Sequence, residues 1–81
     1  MESNERKNKI YLNLSSDEAL ILFDWLSRFN EGEHTPFFQD QAEERVLFDL
    51  EAILEKSMKD ILDSEYQYKL LKARERIRDL K

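Results

Sequence analysis

Cysteine is absent from this 81-residue chain, and glycine, proline and histidine each occur once. Without cysteine there is no disulfide framework, no thiolate metal site and no thiol nucleophile. A lone Gly and a lone Pro argue against loop-rich and β-rich folds, whose turns draw on both. Gly32, as the single glycine, also excludes a glycine-rich phosphate loop. No apolar run approaches the roughly 20 residues that cross a bilayer, and no signal-peptide core is present. The expected compartment is therefore the cytoplasm, with no membrane partner.

A basic surplus is lacking as well. The net charge is −5, and it is unevenly spread. Residues 15–64 hold thirteen acids against four bases, whereas residues 65–81 hold six bases against three acids. An acidic middle disfavours general nucleic-acid binding, because phosphate contacts need a basic surface. It favours approach to a basic protein partner. The plainer reading is that these acids solvate helix faces.

What the chain does have is a strand running into a long amphipathic helix, Lys9–Asn30. Ile10, Leu12 and Leu14 alternate with Tyr11 and Asn13, the period of a strand. Ser15-Ser16-Asp17-Glu18 fits a capping box, with Ser15 as N-cap and Glu18 reaching back to it. On the helix that follows, Ala19, Leu22, Phe23, Leu26 and Phe29 form one stripe, and Ile21 and Trp25 widen it. Leu20 lies on the opposite side, among Asp17, Asp24 and Ser27. The apolar arc exceeds half the circumference, more than a surface helix of a small monomer uses. Gly32 is the expected left-handed terminator of this helix.

Two starts compete for the second helix: Thr35 with Pro36 in the first helical position, or Asp40 with Glu43 three residues on. The choice leaves Phe37 and Phe38 either in a first turn or in a loop over the core. Val46, Leu47, Leu50, Ile53, Leu54 and Met58 then share a face, with Phe48 and Ala52 off it. Asp60-Ile61-Leu62-Asp63 breaks the rhythm, and Ser64-Glu65-Tyr66-Gln67 reads as a second capping box. Tyr66, Leu70, Ala73, Ile77 and Leu80 make the stripe of a third helix, which leaves Tyr68 and Leu71 outside it.

The expected fold is mainly α: a short N-terminal strand, then a three-helix bundle. Met1–Asn8 reads as a disordered leader and residues 9–81 as a single small helical domain. The strand has no second strand to pair with in this reading, and its backbone groups need partners. The same strand of another copy would satisfy them, which predicts a homodimer. The alternative is an extended arm packed on its own helices. Ile10, Leu12, Leu14, Ile21, Trp25, Tyr68 and Leu71 are the expected interface residues, Trp and Tyr being common anchors.

Catalytic and metal chemistry finds little support. Glu31-Gly32-Glu33-His34 matches no helical ligand spacing. Carboxylate pairs such as Glu43–Glu44 and Asp49–Glu51 would need a pocket to perturb them. Ser15 and Ser64 are explained by capping, and Ser57 has no second histidine as a base. No enzyme activity, cofactor or metal is expected. Arg74 and Arg78, four residues apart on the basic last helix, give the alternative of a nucleic-acid-associated regulator. Helix-dipole complementation and pairing with the acidic second helix explain the same cations.

The segment Leu14–Leu26, LSSDEALILFDWL, resembles the opening of a group of short, uncharacterised bacterial helical proteins. In that group a strand-like lead precedes an L-S-x-D-E-A-x-x-L-F segment, and a helix-turn-helix tail follows. The resemblance spans Ile10 to Leu80 in layout and implies no activity. Size and acidity also resemble small bacterial immunity proteins that neutralise basic nuclease toxins. Those carry paired tyrosines in a short helix, whereas Tyr66-Gln67-Tyr68 is spaced differently and sits in a longer one. What this resemblance implies is an acidic binder of a basic protein. The expected function is thus a non-enzymatic protein-interaction module, a small accessory or regulatory subunit of the antitoxin or immunity-like kind.

Overall fold

The structure, a computed structural model, describes residues 1–6, 8–33, 35–59 and 64–79, with the backbone alone for residues 4–6 and 35. The fold is mainly helical, with a two-stranded antiparallel sheet at its N-terminus. Strand β1 (Glu2–Arg6) pairs with β2 (Lys9–Asn13), and helices α1 (Ser16–Glu31), α2 (Gln41–Ser57) and α3 (Tyr66–Arg78) follow.

Local chemistry sets most of the helix boundaries. Ser15 Oγ accepts from the Glu18 amide at 3.1 Å, and Glu18 Oε1 accepts from the Ser15 amide at 2.9 Å. Both halves of the expected capping box are therefore present. Asp40 wins the competition to start α2: its Oδ1 accepts from the Ala42 amide at 2.8 Å, and Glu43 Oε1 accepts from the Gln39 amide at 3.0 Å. Thr35–Phe37 becomes a short 3-10 turn ahead of it.

Two termini differ from the sequence reading. Gly32 ends α1 with its amide on the Phe29 carbonyl at 3.2 Å, but its backbone is extended (φ −89, ψ −171), not left-handed. The Gly32 amide reaches the Phe29 carbonyl with φ negative, so this end closes without an αL residue. At α3, Glu65 occupies the cap position and no side chain caps the helix. The Ser64–Gln67 box does not form because α3 begins one residue later than that box requires. The expected break at Asp60–Asp63 lies outside the described residues, as do His34 and Leu80.

Helix α1 is the shared element, with α2 packed on one side and α3 on the other. Leu20, Phe23 and Leu26 of α1 meet Leu54 and Met58 from the end of α2 and Leu70 and Ala73 of α3 in a single core. Each large side chain so buried contributes about 1.5–3 kcal/mol relative to exposure. Leu14, Ala19, Ile21, Leu22, Leu47, Leu50 and Tyr66 are partly buried against this core. Leu20 corrects the sequence reading. Its acidic neighbours face α3 rather than water, so it lies in the core.

The N-terminus brings a second correction. The stretch read as a disordered leader contains β1, which pairs along Glu2↔Asn13, Ser3↔Leu12, Asn4↔Tyr11, Glu5↔Ile10 and Arg6↔Lys9. Asn8, at φ 66, adopts the left-handed conformation that asparagine tolerates at a chain reversal. One edge of β2 is therefore satisfied within the chain, by a strand too polar to show strand periodicity. Every residue of β2 is exposed, and neither strand packs on a helix among the described residues.

Candidate functional site

The two sides of α1 present different chemistry. Toward α3, Asp17 and Asp24 flank the buried Leu20. Asp17 takes a bidentate contact from Arg76, with Nε at 2.7 Å and the second guanidinium nitrogen at 2.8 Å. Hydrogen bonding to that guanidinium holds the Asp17 carboxyl below its ordinary value. Asp24 is more enclosed and accepts three bonds: Tyr66 Oη at 2.8 Å, Arg28 Nε at 2.9 Å and Arg74 at 3.1 Å. Burial works to raise its pKa, but the bonds from Tyr66 and Arg28, with the charges of Arg28 and Arg74, outweigh it. The net displacement is downward. Burial and then the Asp24 carboxylate push the Tyr66 phenol up to about 12.

These contacts tie the beginning of α1 to the end of α3 and the middle of α1 to its start. They also engage Arg74, one of the two arginines of the nucleic-acid reading, together with Arg76, whereas Arg78 contacts only its neighbour Asp79 among the ion pairs of the described residues. The partners of Arg74 and Arg76 lie on α1, not on the acidic second helix.

Toward α2 and its leading turn, α1 presents aromatics. Trp25, 47% exposed, stacks on Phe29 with ring centroids 4.9 Å apart and planes 13° from parallel. Phe29 continues into Phe37 at 6.0 Å, and meets Phe38 edge-on at 5.9 Å. Such pairs add about 0.5–1.5 kcal/mol beyond area burial. The rings open into a groove of about 440 Å³ lined by Phe29, Phe37, Phe38, Ala42, Glu43, Val46 and Leu47. Val46 is 62% exposed there, and acidic Glu43 stands in the lining beside the first turn of α2. An open apolar trough with acid at its edge suits an apolar protein segment that carries cations.

The sequence-expected interface residues do not form one patch. Ile10 and Leu12 are exposed on the hairpin, and Leu14 tucks against the core at its base. Ile21 is partly buried against the core, while Trp25 joins the aromatic run. Tyr68 and Leu71 are exposed on α3, and the Lys72 ammonium lies 5.6 Å from the Tyr68 ring centre. Sequence reasoning missed the groove because it depends on where α2 starts. The signal was the Phe37-Phe38 pair preceding Asp40, which only an Asp40 cap places over Phe29.

Among the described residues no group of three or more His, Asp or Glu side chains is arranged to hold a metal ion. None of their helices is long and apolar enough to cross a membrane. Comparison with protein-family models, with curated proteins and with solved structures found no match for this chain.

Proposed function

We propose that this chain is a non-enzymatic, cytoplasmic protein-interaction module, a small accessory or regulatory subunit that self-associates and offers an acid-edged apolar groove to a basic protein segment. The observation that carries this reading is the aromatic run from Trp25 through Phe29 to Phe37 and Phe38, left open at its surface. Large aromatics held against one another supply contact area without much ordering cost, which is the profile of an anchor. An inhibitor or antitoxin that covers a basic partner fits the same chemistry.

Light scattering at several concentrations, in low and high salt, tests the self-association. The expected mass is twice 9.8 kDa, maintained in high salt because apolar contacts are not screened. A Trp25→Asp variant that stays helical is expected to keep its mass and to lose binding of a lysine-bearing apolar peptide at the aromatic run. A wild-type monomer at every concentration would remove self-association, and a folded variant that binds such a peptide as the wild type does would remove Trp25 as an anchor.

A further inference from the structure

The hairpin carries information beyond its own pairing. Arg6 and Lys9 face each other next to the reversal, so they must be the pair that exchanges both main-chain hydrogen bonds. The alternation then makes Tyr11 and Asn13 bond inward to β1. The amide and carbonyl groups of Ile10 and Leu12 point outward, along the free edge of β2. The side chains of Ile10 and Leu12 share one face, and they are 67% and 58% exposed. A two-stranded sheet that packs on no helix is marginal in water, and a third strand with an apolar face is what usually stabilises one.

We propose that β2 pairs antiparallel with β2 of a second copy about a two-fold axis through Tyr11, giving a four-stranded sheet in the order β1-β2-β2-β1. This rests on the self-association proposed above and specifies its geometry. The register follows from three constraints. Outward groups must meet outward groups, the five residues Lys9–Asn13 must overlap fully, and the two-fold must map the strand onto itself.

Only the register that sets Ile10 opposite the partner's Leu12 meets all three. It forms main-chain bonds from Ile10 and Leu12 of both copies, and it gathers the four aliphatic side chains on one face. Charge agrees with it. Lys9 is kept away from the partner's Lys9 and faces the partner's Asn13. Beyond that asparagine, in the same row, stands the partner's Glu2. A parallel, in-register pairing would stack lysine on lysine.

The absence of cysteine makes the test direct. Tyr11→Cys places one thiol on the axis, opposite its own copy at a non-hydrogen-bonded site, where Cα separations suit a disulfide. Asn13→Cys places its thiols far apart, but it should cross-link when mixed with Lys9→Cys. Under mild oxidation, on the order of tenfold more disulfide dimer is expected from Tyr11→Cys than from Asn13→Cys alone. Leu12→Pro gives an independent check. It removes an amide that β1 does not use, so helicity by circular dichroism should persist while the light-scattering mass falls to that of one chain. A wild-type dimer with no preference for the Tyr11→Cys cross-link, or unaffected by Leu12→Pro, would overturn the register and leave self-association standing. A wild-type monomer would overturn both.

Discussion

The two seams of α1 close in opposite ways. Against α3, charge shuts the seam: Asp17 and Asp24 face Arg76, Arg74 and Tyr66 around Leu20, and the polar groups there find partners. Against α2, rings and aliphatic side chains fill most of the seam, with one polar tie where Asn30 Nδ2 donates to Glu51 Oε1 at 2.6 Å, and leave it open at the Phe37–Phe38 turn. Bonded polar seams resist sliding, because each displaced carboxylate or guanidinium must be resolvated or paired anew. Apolar seams tolerate shape change and accept new neighbours. One helix thus combines a fixed flank with an adaptable one, and the adaptable flank is where a partner is proposed.

The contrast is broken most severely at Leu26, 1% exposed within the shared core. Leu26→Ala should cost about 3 kcal/mol, seen as a lower urea midpoint with an unchanged slope. Removing the polar lock alone is expected to cost less. Asp24→Ala leaves the partly buried Tyr66 hydroxyl without its acceptor and Arg74 to water, a loss of about 1 kcal/mol by the same measurement.

Acid should open the α3 seam before the aromatic one. Asp17 and Asp24 both sit below the ordinary carboxyl value of 3.8. Their contribution is complete above that value and fades as pH falls through the lower folded-state values. At alkaline pH the sign reverses for Tyr66. Its phenol is raised from 10.0 to about 12, so its contribution is intact below 10.0 and disappears as pH rises through about 12. Ultraviolet titration should show a late phenolate step that Tyr66→Phe eliminates.

Substitutions on the open flank sharpen the contrast by their mildness. Val46→Ser, on a side chain 62% exposed, should shift stability by less than about 0.5 kcal/mol. At the end of α1, Gly32 has negative φ, and an added Cβ would meet the Arg28 carbonyl at an ordinary 3.5 Å. Gly32→Ala should therefore be neutral or stabilise by up to about 0.5 kcal/mol in a thermal melt.

Much of this was legible wherever a local rule acts alone. The Ser15–Glu18 box placed the start of α1, and apolar periodicity picked out Phe23, Leu26, Leu54, Met58, Leu70 and Ala73. Leu20 was misread because Asp17 and Asp24 look like a solvated face until the arginines of α3 are set against them. Charge faces its partner as readily as it faces water, and a single helix does not reveal which. Strand β1 was illegible for a different reason: Glu2–Arg6 has no alternation, and its pairing comes from the reversal at Asn8 and the neighbouring β2. The groove needed the location of Phe37 and Phe38, which hung on two competing caps separated by five residues. Of the seven expected interface residues, Trp25 joins the aromatic run, and neither helical wheel nor strand face could have added Phe37 and Phe38, whose position depends on the loop.

The stacking of Trp25 on Phe29 also has an optical consequence. The chain contains one tryptophan, so indole emission arises from a single place, the exposed side of the aromatic run. Anything that covers that surface should shift the emission to shorter wavelength and shield it from iodide. Pairing at the hairpin edge involves Tyr11 and should leave the indole signal unchanged. The molecule thus carries its own reporter, able to distinguish covering of the aromatic run from assembly through the strand.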